Sequence, residues 1–194
     1  MTAEEKNQIL TWLSGGDLRS DGMANEAARV VLDNPAIIDD LVAGLSESDD
    51  VIRARTADAL EKVAREMPDL LKGYLQQLID LAETEQVPAV KMHLAMIFGH
   101  LAVYEEMLEQ LILVLYYLLE DESVFTRSWA IASLCIIGRK YPIENQRILN
   151  KLSQLQSDPS VAIRSRIAKA VVLLTNPEKE FPKGWIKSVH LQDI

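Results

Sequence analysis

A repeat of about 37 residues constrains this 194-residue chain more than anything else in it. Four basic residues mark the register: Arg53, Lys91, Arg127 and Arg164, spaced 38, 36 and 37 apart. Six positions before each stands an acid: Glu47, Glu85, Asp121 and Asp158. Counted from the basic residue, position −1 is Ile52, Val90, Thr126 and Ile163, and position +4 is Ala57, Ala95, Ile131 and Ala168. Position +7 is Leu60, Phe98, Leu134 and Val171, and position +10 is Val63, Leu101, Ile137 and Leu174. Position +11 is small throughout: Ala64, Ala102, Gly138 and Thr175. Offsets of −1, 4, 7, 10 and 11 fall on one face of an α-helix. Small residues on that face let neighbouring helices approach closely.

Prolines mark the same period independently. Pro35, Pro68, Pro142 and Pro177 lie 33, 74 and 35 residues apart, and the middle spacing is two periods. Proline suits the first turn of a helix, where its missing N–H is not needed. Each unit therefore reads as helix, turn, helix, turn. The expected helices cover 3–13 and 23–33, then pairs at 36–45 with 50–66, 69–83 with 87–102, 104–119 with 123–140, and 143–156 with 159–175. Ser14-Gly15-Gly16 ends the first helix. The tail from Pro177 is expected to be mostly irregular, with Trp185 and Ile186 folding back over the last repeat. Aromatic residues make up only 6%, with 8 Gly and 7 Pro, which fits helices and not a β-rich fold. The expectation is an all-α chain, an α-solenoid in a single domain: capping helices in 1–34, four repeats in 35–175, and a tail in 176–194.

Charge and cysteine usage exclude several functions. The net charge is −9, divided into −13 over residues 1–120 and +4 over residues 121–194. Overall acidity argues against non-specific nucleic-acid binding, which needs cations to release counterions. One cysteine, Cys135, cannot form an internal disulfide. Met1–Asn7 carries Glu4 and Glu5 and lacks the apolar core of a signal peptide. The longest apolar run, Leu111–Leu119, is less than half of the roughly 20 residues a membrane span needs. A soluble, cytoplasmic protein is expected.

Segments 90–102 (VKMHLAMIFGHLA) and 126–138 (TRSWAIASLCIIG) resemble the second helix of a HEAT repeat, as do Ile52-Arg53…Ala57…Ala59-Leu60 and Ile163-Arg164…Ala168…Ala170. The resemblance spans about 35–175 and implies an α-solenoid whose second helices line a concave surface that holds another macromolecule. It also implies that the basic column bonds the turn acids as a structural ladder. The physics agrees: one helix pair cannot bury its own apolar face, and stacked pairs can.

Two positions after each basic residue stands the column Arg55, His93, Trp129 and Arg166. It lies about 200° around the helix from the +4 column, so on the concave surface it would form a stripe. Cations flanking an aromatic can take an acidic peptide or a phosphate, with Trp129 as anchor. Met92, Met96, Arg139 and Lys169 would extend it. The competing reading is a solvated face with one packed Trp. Cys135 reads as core. The histidines, His93, His100 and His190, lack a carboxylate or Cys at ligand spacing along the sequence. Each precedes Leu, whereas the HEAT-repeat iron enzymes called deoxyhypusine hydroxylases use His-Glu pairs. Neither a metal nor a cofactor is expected. No phosphate loop or nucleophile elbow is present.

The expected function is therefore a non-enzymatic scaffold that binds a protein or peptide partner through Arg55, His93, Trp129 and Arg166. Two alternatives stand beside it. One is a nucleic-acid-binding protein like the helical-repeat DNA glycosylases, favoured by the basic C-terminal part and Trp129. The other is a HEAT-like bilin lyase, whose partner would be a pigment protein.

Overall fold

The computed structural model describes the backbone of residues 3–194 and the side chains of 8–194, so Glu4 and Glu5 lie outside the described side chains. Ten α-helices follow one another: α1 (Ala3–Leu13), α2 (Ala24–Asp33), α3 (Ile38–Ala43), α4 (Asp50–Glu66), α5 (Leu75–Thr84), α6 (Pro88–His100), α7 (Leu108–Leu118), α8 (Val124–Lys140), α9 (Asn145–Ser153) and α10 (Val161–Thr175). No strand occurs among the described residues. Short 3₁₀ turns at Pro35–Ile37, Pro68–Tyr74 and Pro142–Glu144 lead into α3, α5 and α9. Each starts at a proline, as the spacing predicts, and the α-helical part then begins a few residues later than expected.

The architecture is an α-solenoid. The even-numbered helices stack in chain order, α2 on α4, α4 on α6, α6 on α8 and α8 on α10, while the odd-numbered helices form a second layer. The repeat columns form the interface. Ala57, Ala95 and Ile131 at +4 and Leu60, Phe98 and Leu134 at +7 are fully buried. In the last repeat Ala168 and Thr175 are exposed, because no further helix covers α10. Close approach is literal at Gly138, where an added Cβ would lie 2.6 Å from Leu174 Cδ2. The apolar run on α7 is core on most sides: Leu111, Ile112, Val114, Leu115 and Leu118 are buried, and only Leu113 and Tyr117 face outward.

The acidic and basic columns form the ladder. Arg53 Nε lies 2.8 Å from Glu85 Oε2, Lys91 Nζ lies 2.7 Å from Asp121 Oδ2, and Arg127 pairs with Asp158. Each cation therefore reaches the acid of the following repeat. Each acid also accepts from backbone amides at the start of its own second helix. Glu85 takes the N–H groups of Gln86 and Val87, Asp121 that of Ser123, and Asp158 that of Ser160. Among the described residues Arg164, in the last repeat, donates to the carbonyls of Asp158 and Pro159 and to no carboxylate.

Removing a carboxylate from the ladder should therefore cost much more than removing its terminal cation. Glu85→Ala removes the buried carboxylate of this pair, leaving Arg53 only the exposed Asp50 and two carbonyls, and frees the amides of Gln86 and Val87, an expected loss of about 2–3 kcal/mol in urea unfolding. Arg164→Ala should cost about 1 kcal/mol or less. Equal midpoint shifts would show that the ladder does not hold the stack together.

Candidate functional site

The column Arg55, His93, Trp129 and Arg166 runs across the even-numbered helices, one residue each from α4, α6, α8 and α10. The structure gives each member different surroundings. Arg55 is buried, and its guanidinium donates to the carbonyls of Leu13, Ser14, Gly15, Asp17 and Ser20. Those at 13–15 are the unsatisfied acceptors at the C-terminus of α1, where a cation also meets the negative end of the helix dipole. Gly22, with φ +53°, passes so close that an added Cβ would lie 2.7 Å from Arg55 Cζ. Arg55 thus fastens the α1–α2 loop and does not present a free cation.

His93 belongs to a charged cluster between α4 and α6. Asp58 and Glu61, one turn apart on α4, meet His93 and His100 from α6. Glu61 is fully buried; its Oε1 lies 2.8 Å from His100 Nε2, and Arg65 donates to both its oxygens. Burial pushes the Glu61 carboxyl up, but the hydrogen bonds from His100 and Arg65 outweigh it and hold the group at about 2. Burial pushes the imidazoles of His100 and His93 below their ordinary range, against the pull of the neighbouring carboxylates. With Nε2–H donating to Glu61, His100 Nδ1 is a buried acceptor with no hydrogen-bond partner among the described residues.

Asp58, Glu61 and His93 bring potential metal-ligand atoms within 4.8 Å of one another. Spacing along one helix could not reveal this trio, because the carboxylates sit on a different helix from the imidazole. Its negative charge is already matched: Lys62 Nζ lies 2.6 Å from Asp58 Oδ2, and Arg65 holds Glu61. A divalent ion would have to displace those cations.

The C-terminal half of the stripe is aromatic and cationic. The Arg166 guanidinium lies 5.3 Å from the centre of the Trp129 ring and 4.2 Å from that of Trp185, and Lys187 Nζ lies 4.8 Å above Trp129. Arg166 Nε donates to Ser128 O, and no carboxylate pairs with this guanidinium among the described residues. Burial lowers the affinity of Arg166 and of Lys187 for their protons. Cys135, behind Arg166, is fully buried, and burial pushes its thiol up, away from nucleophilic use.

The tail covers this face. Trp185 and Ile186 fold back, as the sequence suggests, but the chain goes on well beyond the last repeat. It passes Trp129 and ends against the C-terminus of α4, where Ser188 Oγ donates to Arg65 O and His190 Nε2 lies 2.8 Å from Glu66 O. Trp185, Ser188 and Leu191 are buried. Their three-residue spacing is the one sequence signal that could have revealed the longer path. Between the α1–α2 loop and helices α4 and α6 remains a cleft of about 160 Å³, lined by Leu18, Arg55, Asp58, Met92 and His93 among others.

No family model and no curated protein matches the chain. Seven solved chains match. One belongs to the complex of CpcE and CpcF of phycocyanin lyase from Nostoc sp. PCC7120, with a TM-score of 0.69 and 20% identity, covering 88% of this chain and 99% of that one. At that identity the likeness establishes a shared helical-repeat fold. It also corrects the expectation of a non-enzymatic chain, because the architecture serves a lyase. That expectation rested on the absence of catalytic motifs within one sequence. An activity borne by a complex of two chains need not leave such a motif in either.

The Glu61 cluster makes stability depend on pH. The stability from Glu61 is complete above about pH 4.5 and is lost as pH falls toward 2. The folded chain also excludes protons from His93 and His100, so stability should begin to fall below about pH 6.5. His100→Gln keeps a donor to Glu61 and removes one titration. Its thermal midpoint should fall less steeply than that of the parent chain between about pH 6.5 and 4.5. Parallel curves would show that His100 carries none of the dependence.

Proposed function

We propose that this chain is a HEAT-like helical-repeat subunit of the bilin-lyase kind, which pairs with another protein chain in the cytoplasm and handles a pigment protein. The observation that carries this reading is the extent of the likeness. It covers 99% of the matched chain, so a whole array is shared and not one helix pair. That chain comes from a two-chain complex, which supports a protein partner for this one. Among the described residues no helix is long and apolar enough to cross a membrane.

In this reading the contact surface is the stripe, with Trp129 as anchor, Arg166 and His93 flanking it, and Arg55 holding the wall at its N-terminal end. The chemistry suits a pigment protein. A bilin offers a flat conjugated system that can lie on the indole and carboxylates that can meet the unpaired Arg166 guanidinium. The same face places Asp58 and Glu61 beside those cations, so it is not the uninterrupted basic channel that nucleic acid requires.

The test is direct. The purified chain is mixed with each subunit of a two-chain phycocyanin lyase, and separately with apo-phycocyanin and its bilin. Gel filtration and pigment absorbance are followed. Co-elution with at least one of these proteins is expected, weakened at least about tenfold by Trp129→Ala in a folded chain. Absence of co-elution, with pigment attachment unchanged by adding the chain, removes the reading.

A further inference from the structure

The tail is attached differently from the rest of the molecule. Between Asn176 and Ile194 the only regular structure is one 3₁₀ turn, Val189–Leu191. Its backbone hydrogen bonds are internal turns: Lys179 N to Asn176 O, Trp185 N to Pro182 O and Leu191 N to Ser188 O. Among the described residues, apart from the bond from Asn176 N to Val172 O that ends α10, none joins its backbone to the backbone of another element. It is held by three buried plugs, Trp185, Ser188 and Leu191, and by a few side-chain bonds to carbonyls. Arg139 of α8 donates to Pro177 O and Lys179 O at the root of the tail. Between root and plugs, Lys183 and Gly184 are exposed, and Gly184 takes φ +82° with open space around it.

The surface under the tail is equally unlike a permanent core. Most buried side chains between the stacked helices are Leu, Ala, Ile and Val. Under the tail lie Trp129, an Arg166 without a carboxylate, and the Asp58–Glu61–His93 cluster. The tail complements them in order: Trp185 stacks on Arg166, and Lys187, two residues on, covers Trp129 within electrostatic reach of Glu61 and Asp58. With the tail seated, Trp185 and Lys187 cover Arg166 and Trp129, and a cleft of about 160 Å³ stays open beside Arg55 and His93. A segment that is to reach Trp129 and Arg166 must take the place of Trp185 and Lys187.

We infer that residues 181–191 are an internal ligand, which marks the stripe as a docking groove for an extended peptide and is displaced when a partner binds. The partner segment carries an aromatic residue followed two positions later by Lys or Arg, the pattern of Trp185 and Lys187. This rests on the stripe being the docking surface, but not on the partner being a pigment protein. The tail closes the groove in the free chain, and the bonds from Arg139 at its root keep it tethered while the groove is occupied.

The test uses the full chain and a fluorescein-labelled synthetic peptide of residues 179–194, read by anisotropy. The resident tail is unseated in the chain by Trp185→Ala with Leu191→Ser, which leaves Trp129 and Arg166 in place. The unseated chain should bind the labelled peptide at least about tenfold more tightly than the parent chain does. A peptide carrying Trp185→Ala or Lys187→Glu should lose at least about tenfold. A folded, unseated chain that binds the peptide no better than the parent overturns the inference. Should the double variant fail to fold, a protease site placed between Glu180 and Phe181 of the otherwise unchanged chain replaces it. After cleavage, excess labelled peptide should exchange into the groove while helicity is kept. Retention of the cut segment, or unfolding on its release, overturns the inference. The peptide assay reads the groove alone, so its failure is distinguishable from failure of the lyase reading, which is scored with phycocyanin.

Discussion

The stack depends on one interaction repeated three times: a part-buried cation of one repeat paired with the turn acid of the next. Its economy lies in the two oxygens of the acid. Asp121 gives Oδ1 to the amide of Ser123 and Oδ2 to Lys91, and Asp158 divides its oxygens in the same way between Ser160 and Arg127. The same group therefore starts a helix and joins it to its neighbour. Layers of Leu and Ala alone could slide past each other at little cost, since apolar contact has no direction. A slip of one helical turn here would leave a nearly buried carboxylate facing no cation, a penalty of several kcal/mol. The apolar columns supply the attraction and the ladder sets the register.

With the register fixed, segments outside the repeats are fastened by a second device, side chains that bond the open carbonyls at helix C-termini. Arg55 does this strongly, with five carbonyls gathered around one buried guanidinium. The tail does it weakly, with one bond each from Ser188 and His190 to the end of α4. Hydrogen bonds from a charged donor are about twice as strong as neutral ones. The α1–α2 loop is thus built in, while the tail is only laid on. Both lie over the same stripe, so its N-terminal end is walled and its C-terminal end is closed by something lighter.

Nearly all of the fold was legible because a solenoid is written locally. Residues 53, 91, 127 and 164 set the register, the prolines mark the turns, and each helix meets only its neighbours. The candidate site was legible in part. Offset +2 gives Arg55, His93, Trp129 and Arg166 the same place on successive helices, but it says nothing about what lies above them. Arg55 meets a loop some 40 residues earlier in the chain, and the tail's Ser188 meets Arg65, 123 residues away. Neither contact repeats, so no period could carry it. The Asp58–Glu61–His93 trio escaped notice for the same reason, since it forms only when two helices 37 residues apart are stacked in the correct register.

The tail also explains what the uneven charge does. An acidic N-terminal part and a basic C-terminal part would, in a straight array, lie at opposite ends and barely interact beyond a Debye length of about 8 Å. The tail brings them together by carrying Lys187 back over the array to Asp58 and Glu61 on α4. These carboxylates already hold Lys62 and Arg65, so the returning cation adds to a pairing that is complete without it. The displacement we propose for the tail would draw on that surplus. Lifting Lys187 away leaves no buried acid unpaired, whereas lifting Arg53 or Arg127 from the ladder would. Burial of the Lys187 ammonium outweighs the pull of these carboxylates, so charge alone does not lock the tail in place.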